Sequence, residues 1–202
     1  MIRFSALISG LAALAFAAAV QAEPLPTDEA LKERIMGNAE APVTIIEYAS
    51  LTCPHCADFH AGTLPQIKKE WIETGRAKLV YRDFPTSPVA LAVYAAMVAR
   101  CAPEDRYFKF LEVLYKQQRN WTGSPDPMKA LAQLARLGGM SQADFDACTQ
   151  NEALFKGIRE RALDGQIEFD IESTPSFVVN GRVIKGGMDY ADFKDILEDA
   201  AK

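Results

Sequence analysis

The residues best suited to chemistry are the two cysteines of Cys53-Pro54-His55-Cys56, which follow a predicted strand at residues 43–48 and open a predicted helix. Two intervening residues place both sulfurs on one helical turn, and free N–H groups at the helix N-terminus point at the first sulfur. These groups and a nearby imidazolium lower a cysteine pKa from about 8.5 into a range of about 3.5 to 7.5. His55 offers that donor or charge, and Pro54 fixes φ without wasting an N–H. The tetrapeptide therefore predicts a redox-active cysteine pair.

Other chemistries fit this pair less well. Covalent haem attachment requires a histidine directly after the second cysteine, where this chain has Ala57. A zinc site needs two more ligands, and only His55, His60 and two distant cysteines are available. His60 is interpreted as a helix-surface residue. A purely structural bridge would close a very short loop and add little stability. A metal-binding module, for copper for example, stays open as an alternative.

A second candidate feature is Thr174-Pro175, just before a predicted hairpin with Asn180-Gly181 at its turn. Proline cannot donate to a strand ladder, so Pro175 is expected at the first position of a strand. A cis Thr174–Pro175 bond would bring this backbone beside the cysteines, where it could pair with a substrate strand. The alternative is an ordinary strand-initiating proline with a trans bond.

Hydrophobic periodicity predicts a strand-and-helix frame with a helical middle. Its order is βαβ, a helical stretch, then ββα. The predicted elements are a strand at residues 43–48, a helix from Cys53 to Gly75 kinked at Pro65, a strand at 78–82, four or five helices between 88 and 165, a hairpin at 176–184 and a helix at 190–201.

The N-terminus and the composition indicate an exported protein. A short positive start and an apolar run end in small residues, so residues 1–22 are predicted to be a signal peptide cleaved after Ala22. The run is too short and too rich in alanine for a membrane anchor. The net charge is −5 and dispersed, which argues against nucleic acid as a partner.

The remaining two cysteines, Cys101 and Cys148, lie inside the helical stretch. An even cysteine count in an exported chain favours disulfides, and this pair is predicted to form a structural one. Closing a loop of about 47 residues would remove unfolded-state entropy worth about 4 kcal/mol. Two buried free thiols or a regulatory pair are the alternatives.

Taken together, these motifs resemble the disulfide-forming proteins of the DsbA type, in the thioredoxin superfamily. The matching features are Glu47 six positions before Cys53, the Cys53-Pro54-His55-Cys56 tetrapeptide, Thr174-Pro175 and the hairpin at 177–181. The resemblance implies an α/β protein: a thioredoxin fold with a mostly helical inserted domain. Residues 23–86 and 166–202 would form the thioredoxin domain, and residues 87–165 the insertion. Pro175 is expected to be cis.

The resemblance also implies roles for the site residues. Cys53 is the exposed sulfur that a substrate thiolate attacks, and Cys56 is its buried partner. Glu47 resembles the buried acid that relays a proton near Cys56, although a strand glutamate paired with a lysine is equally open. Thr174 departs from the valine of the best-known oxidants, which leaves the strength of oxidation undecided.

The implied partners are reduced or unfolded exported proteins and a membrane quinone-linked reoxidase, with no cofactor and no metal. The predicted activity is disulfide donation by a monomeric periplasmic enzyme. A disulfide isomerase or reductase is the main alternative, and a copper-binding or metal-tolerance relative is a further one. Isomerases of the superfamily usually carry an N-terminal dimerisation domain, and about 20 residues before the first strand leave no room for one.

Overall fold

The computed structural model describes residues 25–202, so the predicted signal peptide lies outside the described residues. A five-stranded mixed sheet runs in the order β1-β3-β2-β4-β5, in which only β2 and β3 are parallel neighbours. The strands are β1 (Arg34–Met36), β2 (Val43–Ala49), β3 (Ala77–Asp83), β4 (Ser176–Val179) and β5 (Arg182–Lys185).

Ten α-helices accompany the sheet within the described chain. They are α1 (Thr27–Ala30), α2 (Pro54–Gly62), α3 (Leu64–Ile67), α4 (Val89–Arg100), α5 (Tyr107–Lys116), α6 (Gln118–Thr122), α7 (Pro127–Leu137), α8 (Gln142–Thr149), α9 (Glu152–Phe169) and α10 (Tyr190–Ala200). No helix within residues 25–202 has the length and apolar character needed to cross a membrane.

The helical middle differs in detail from the sequence prediction. It contains six α-helices rather than four or five, because the chain breaks between α5 and α6 at Gln117 and between α8 and α9 at Asn151. Neither residue is the proline or glycine that usually marks a break. The last helix of this middle region, α9, also continues past Gly165 to Phe169. The ring of Tyr48 packs where a side chain at 165 would lie, so this glycine permits packing rather than ending the helix.

Two further differences concern the first half of the chain. Strand β1 is absent from the sequence prediction, because three residues are too few to show an alternating pattern. The helix predicted from Cys53 to Gly75 is divided at Thr63 into α2 and α3, and a π-helical turn (Lys68–Ile72) follows. Pro65 lies in the first turn of α3, where its missing N–H costs nothing.

The two faces of β2 bury different partners, because side chains alternate along a strand. Val43 and Ile45 face α2, α3 and α10 in one apolar cluster. Tyr48 lies in another cluster on the opposite face, together with residues at the end of α9. Glu47 has the same parity as Val43 and Ile45, so its carboxylate points beneath α2 rather than into solvent. A third cluster, formed largely by α4, α5 and α7, includes both cysteines of the tetrapeptide.

Candidate redox-active site

The tetrapeptide lies at the junction of β2 and α2, as its spacing predicts. Cys53 is the N-cap of α2, Pro54 is its first residue, and the Cys53 N–H donates to the carbonyl of Ser50 at 3.1 Å. The hydroxyl of Ser50 accepts hydrogen bonds from the N–H groups of Thr52 and Thr86, at 3.3 and 3.2 Å. The loop that carries the first sulfur is therefore held on both sides.

Both cysteines are unbridged and buried, so the prediction that Cys53 is an exposed sulfur is wrong: Cys53 is 8% exposed and Cys56 is 0% exposed. The two thiols nevertheless differ in their hydrogen bonding and in their pKa values. A hydrogen bond from Cys56 lowers the pKa of the Cys53 thiol to about 5 despite partial burial, and bonds from the Thr174 side chain and from the N–H groups of Cys56 and His55 add to it. Burial raises the pKa of Cys56 far above its ordinary value, and the bond and charge of Cys53 raise it further. At neutral pH the pair therefore holds one thiolate and one thiol.

Thr174 and Pro175 lie directly against the first sulfur. The Thr174–Pro175 bond is cis, and the Cys53 Sγ lies 3.3 Å from the carbonyl oxygen of Thr174. Strand β4, which begins at Ser176, pairs with β2 in antiparallel register. Two segments separated by more than a hundred residues thus meet at Cys53.

Gln118 is a site residue that sequence reasoning missed. This buried side chain at the start of α6 donates to the carbonyl oxygens of Leu51 and Cys53, at 2.8 and 2.9 Å. It ties the helical insertion to the loop that carries Cys53. No local pattern marks Gln118, because a polar residue in a short helix ordinarily faces solvent.

The structure corrects the interpretation of His60 as a surface residue. Its side chain is only 5% exposed, and its Nε2 lies 2.9 Å from Oε1 of Glu47, which is fully buried. Glu47 is therefore paired with a histidine rather than with a lysine. His60 follows Cys56 by four residues and so lies on the same buried face of α2. That spacing, together with the parity of Glu47 in β2, was the signal available in the sequence.

The second cysteine pair is bridged in the structure, where Cys101 and Cys148 join α4 to α8. Its side chains lie on the wall of a cavity of about 350 Å³ beside α7, and the residues that line this cavity do not include those of the tetrapeptide. Within residues 25–202, no three histidine, cysteine, aspartate or glutamate side chains gather in a geometry that could hold a metal ion.

Comparisons with known proteins agree with this architecture. Residues 29–199 match a protein-family model described as thioredoxin. Among solved structures, α-DsbA1 of Wolbachia pipientis superposes with a TM-score of 0.77 at 26% identity, over 88% of this chain and 92% of that one. The chain belongs to the thioredoxin family and is of the DsbA type. The predicted fold class, a thioredoxin fold with a helical insertion, is confirmed.

Curated relatives carry names from disulfide chemistry. Disulfide bond formation protein D of Bacillus subtilis is 26% identical over 178 residues, which cover 83% of this chain and 77% of that protein. A Rickettsia bellii protein named as a protein-disulfide oxidoreductase is 28% identical over 150 residues. The match covers 74% of this chain but 57% of that relative, so the chain spans little more than half the length of such rickettsial proteins.

Proposed function

We propose that this protein is a thiol–disulfide oxidoreductase that donates the Cys53–Cys56 disulfide to other proteins. The observation that carries the proposal is the asymmetry of the pair, with Cys53 at a helix N-terminus against Thr174 and Cys56 sealed beneath it. A stable Cys53 thiolate favours the reduced form, which makes the disulfide an effective oxidant. The names of the curated relatives support the same chemistry.

The reaction proceeds in two exchanges. A substrate thiolate attacks Sγ of Cys53, the Cys53–Cys56 bond breaks, and Sγ of Cys56 takes the electron pair and a proton. A second substrate thiolate then attacks the substrate sulfur of the mixed disulfide, and Cys53 leaves as a thiolate. The substrate is oxidised and the pair is reduced. The backbone at Thr174 and Pro175 is the proposed docking edge for the substrate strand, because it faces Cys53.

The cellular setting is part of the proposal. Residues 1–22 would direct export and be cleaved after Ala22, which leaves the mature protein in the periplasm. There, reduced or unfolded exported proteins are its substrates and a membrane quinone-linked enzyme reoxidises it. We expect a monomer, which light scattering on the mature protein checks directly. A stable dimer or trimer would favour an isomerase instead.

The deciding experiment is the equilibrium potential of the Cys53/Cys56 pair in glutathione buffers. Potentials in the superfamily run from about −270 mV for thioredoxin to about −120 mV for DsbA itself. We expect a value near the oxidising end, together with disulfide formation in a reduced, unfolded test protein. Cys53→Ser is the matched control and should abolish both. A potential near the thioredoxin end would overturn disulfide donation in favour of a reductase or isomerase. The measurement is needed because this chain has Thr174 where the best-known oxidants have valine.

A further inference from the structure

The proposed reaction requires a proton at Sγ of Cys56, an atom that water cannot reach. Cys56 is fully buried, and its raised pKa means that it carries a proton whenever the pair is reduced. Its sulfur has no proton in the disulfide. Each opening of the disulfide therefore delivers one proton to Sγ of Cys56, and each reoxidation removes it. The protein must supply a route.

Glu47 lies at the inner end of such a route. It is fully buried, and its charge contributes to the raised pKa of Cys56. Its neighbours on the same face of the sheet are Tyr81 in β3 and Phe177 in β4. Among the described residues no donor reaches its Oε2. Because an unpaired buried carboxylate oxygen is costly, its retention here calls for an explanation beyond packing.

His60 connects this carboxylate to the surface. Its Nε2 contacts Oε1 of Glu47, and its ring stacks on Tyr115 at 4.0 Å between centroids. It also lines a groove of about 540 Å³ that separates α2 from α5 and α6 and begins at Pro54. The imidazole is thus in contact with a buried carboxylate on one side and with an open groove on the other.

Other titratable groups lie near His60, and none of them is suited to carry a proton to Glu47. The tyrosine hydroxyls of Tyr81 and Tyr115 bond each other at 2.7 Å, and burial raises both pKa values, so neither carries a charge near neutral pH. The titratable side chains that line the two grooves beside His60 are Asp58, Lys68, Lys109, Glu112, Lys116 and Arg119. None of them is hydrogen-bonded to Glu47. His60 is the group that can bridge the carboxylate and the groove.

The family resemblance implies that Glu47 relays a proton to Cys56, and we propose that His60 extends this relay to the groove as its outer member. When the disulfide opens, His60 passes a proton to the Glu47 carboxylate, Glu47 passes it on to Sγ of Cys56, and His60 takes a proton from water in the groove, so that one proton moves inward for each disulfide opened. Reoxidation runs the same steps in reverse. The inference rests on the proposed thiol–disulfide exchange and assigns His60 to its proton step.

The test compares His60→Ala, His60→Gln and Glu47→Gln in the rate at which glutathione opens the disulfide, measured by acid quench and alkylation. We expect each variant to slow opening at least tenfold at neutral pH, while the equilibrium constant with glutathione changes less than twofold. Imidazole should restore His60→Ala, because it can enter the space left beside the groove. It should leave Glu47→Gln slow. Lys116→Gln is the matched control, since that exposed side chain lines the same groove and has no hydrogen bond to Glu47, so neither the variant nor added imidazole should change the opening rate.

His60→Gln keeps a hydrogen-bonding group against Glu47 but cannot carry the proton, so it separates relay from packing. A His60→Gln variant that opens at the wild-type rate would overturn the relay, and so would a His60→Ala variant that imidazole leaves unchanged. If the wild-type protein itself does not exchange with glutathione, the proposed function fails rather than this inference.

Discussion

Cys53 and Cys56 are separated by two residues, yet their titration behaviour is opposite. The first gains hydrogen bonds to its thiolate, and the second is enclosed by apolar side chains. Between pH 5 and the ordinary cysteine pKa, the reduced pair therefore binds one proton rather than two. This difference leads to a pH dependence that can be measured without any substrate.

The equilibrium potential of the pair should change slope near pH 5. Above that pH, reduction takes up one proton and the potential should fall by about 30 mV per unit, while below it reduction takes up two protons and the slope should approach about 59 mV per unit. Glutathione or electrochemical titration from pH 4 to 8 measures it. A slope of about 59 mV throughout would show that Cys53 is not a thiolate.

Stability should follow the same linkage in the reduced protein. The folded pKa of Cys53 is lowered from 9.0 to about 5, so its contribution is full above pH 9 and is lost as the pH falls toward 5. The raised pKa of Cys56 acts only above pH 9, where it reduces stability. The free energy of urea unfolding of the reduced protein, minus that of the oxidised protein, should therefore rise from pH 5 to 9. A flat difference would contradict the assigned pKa.

Thr174 affects the Cys53 thiolate through its side chain. Because its side chain stabilises the Cys53 thiolate, Thr174→Val should raise the pKa of Cys53 by about one unit, which corresponds to about 1.4 kcal/mol. Titration of thiolate absorbance in the reduced protein measures the change. Thr174→Ser keeps the hydroxyl and serves as the control. An equal shift in both variants would assign the effect to packing rather than to the hydroxyl.

At the scale of elements, the site depends on contacts between segments that are distant in sequence. The edge at Pro175 comes from the strand that follows the insertion, and Gln118 comes from within the insertion. The helical insertion therefore contributes directly to the loop that holds Cys53, instead of only covering it.

Removal of the Gln118 amide should destabilise the protein. In Gln118→Leu two buried carbonyl oxygens lose their donor, and we expect the free energy of unfolding of the oxidised protein to fall by about 1–3 kcal/mol. Urea unfolding measures it. Gln166→Leu, at an exposed position on α9, is the matched control and should change stability by no more than about 0.5 kcal/mol. Equal effects in both variants would show that the two bonds do not stabilise the fold.

At the scale of the whole molecule, α4 joins the insertion to the sheet. Arg100 at its end pairs with Asp83 in β3 and donates to the carbonyl oxygens of Ala30 and Lys32. The next residue, Cys101, is bridged to Cys148 of α8. Sheet, N-terminal segment and insertion therefore meet at adjacent positions of one helix.

Loss of the Cys101–Cys148 bridge should destabilise the chain by about 2–4 kcal/mol, because it closes a loop of 47 residues in the unfolded state. Urea unfolding of Cys101→Ala/Cys148→Ala measures it, with Cys53 and Cys56 changed to serine in both proteins so that only this bridge differs. Mass measurement after alkylation without reduction checks the bridge itself. Two alkylated sulfurs in the Cys53→Ser/Cys56→Ser protein would show that the thiols are free.

Much of the fold could be predicted from sequence because its signals are local. A short run rich in β-branched residues marks β2, Asn180-Gly181 marks the hairpin, and the spacing of the tetrapeptide places Cys53 at the start of a helix. Each depends on neighbouring residues, which the chain displays directly. The count of helices in the insertion and strand β1 were missed, because no proline, glycine or long alternating run marks them.

The sequence by itself determined the order of strands and helices and the position of the cysteine pair, since both follow from local pattern. Only the tertiary structure decided how the pair is controlled. The pairing of His60 with Glu47 and the bonds of Gln118 join residues that are distant in sequence, and whether such polar groups are buried depends on the packing of whole elements. Burial and hydrogen bonding set the free energy of a charge, so the chemistry of this site is decided where the strands and helices meet.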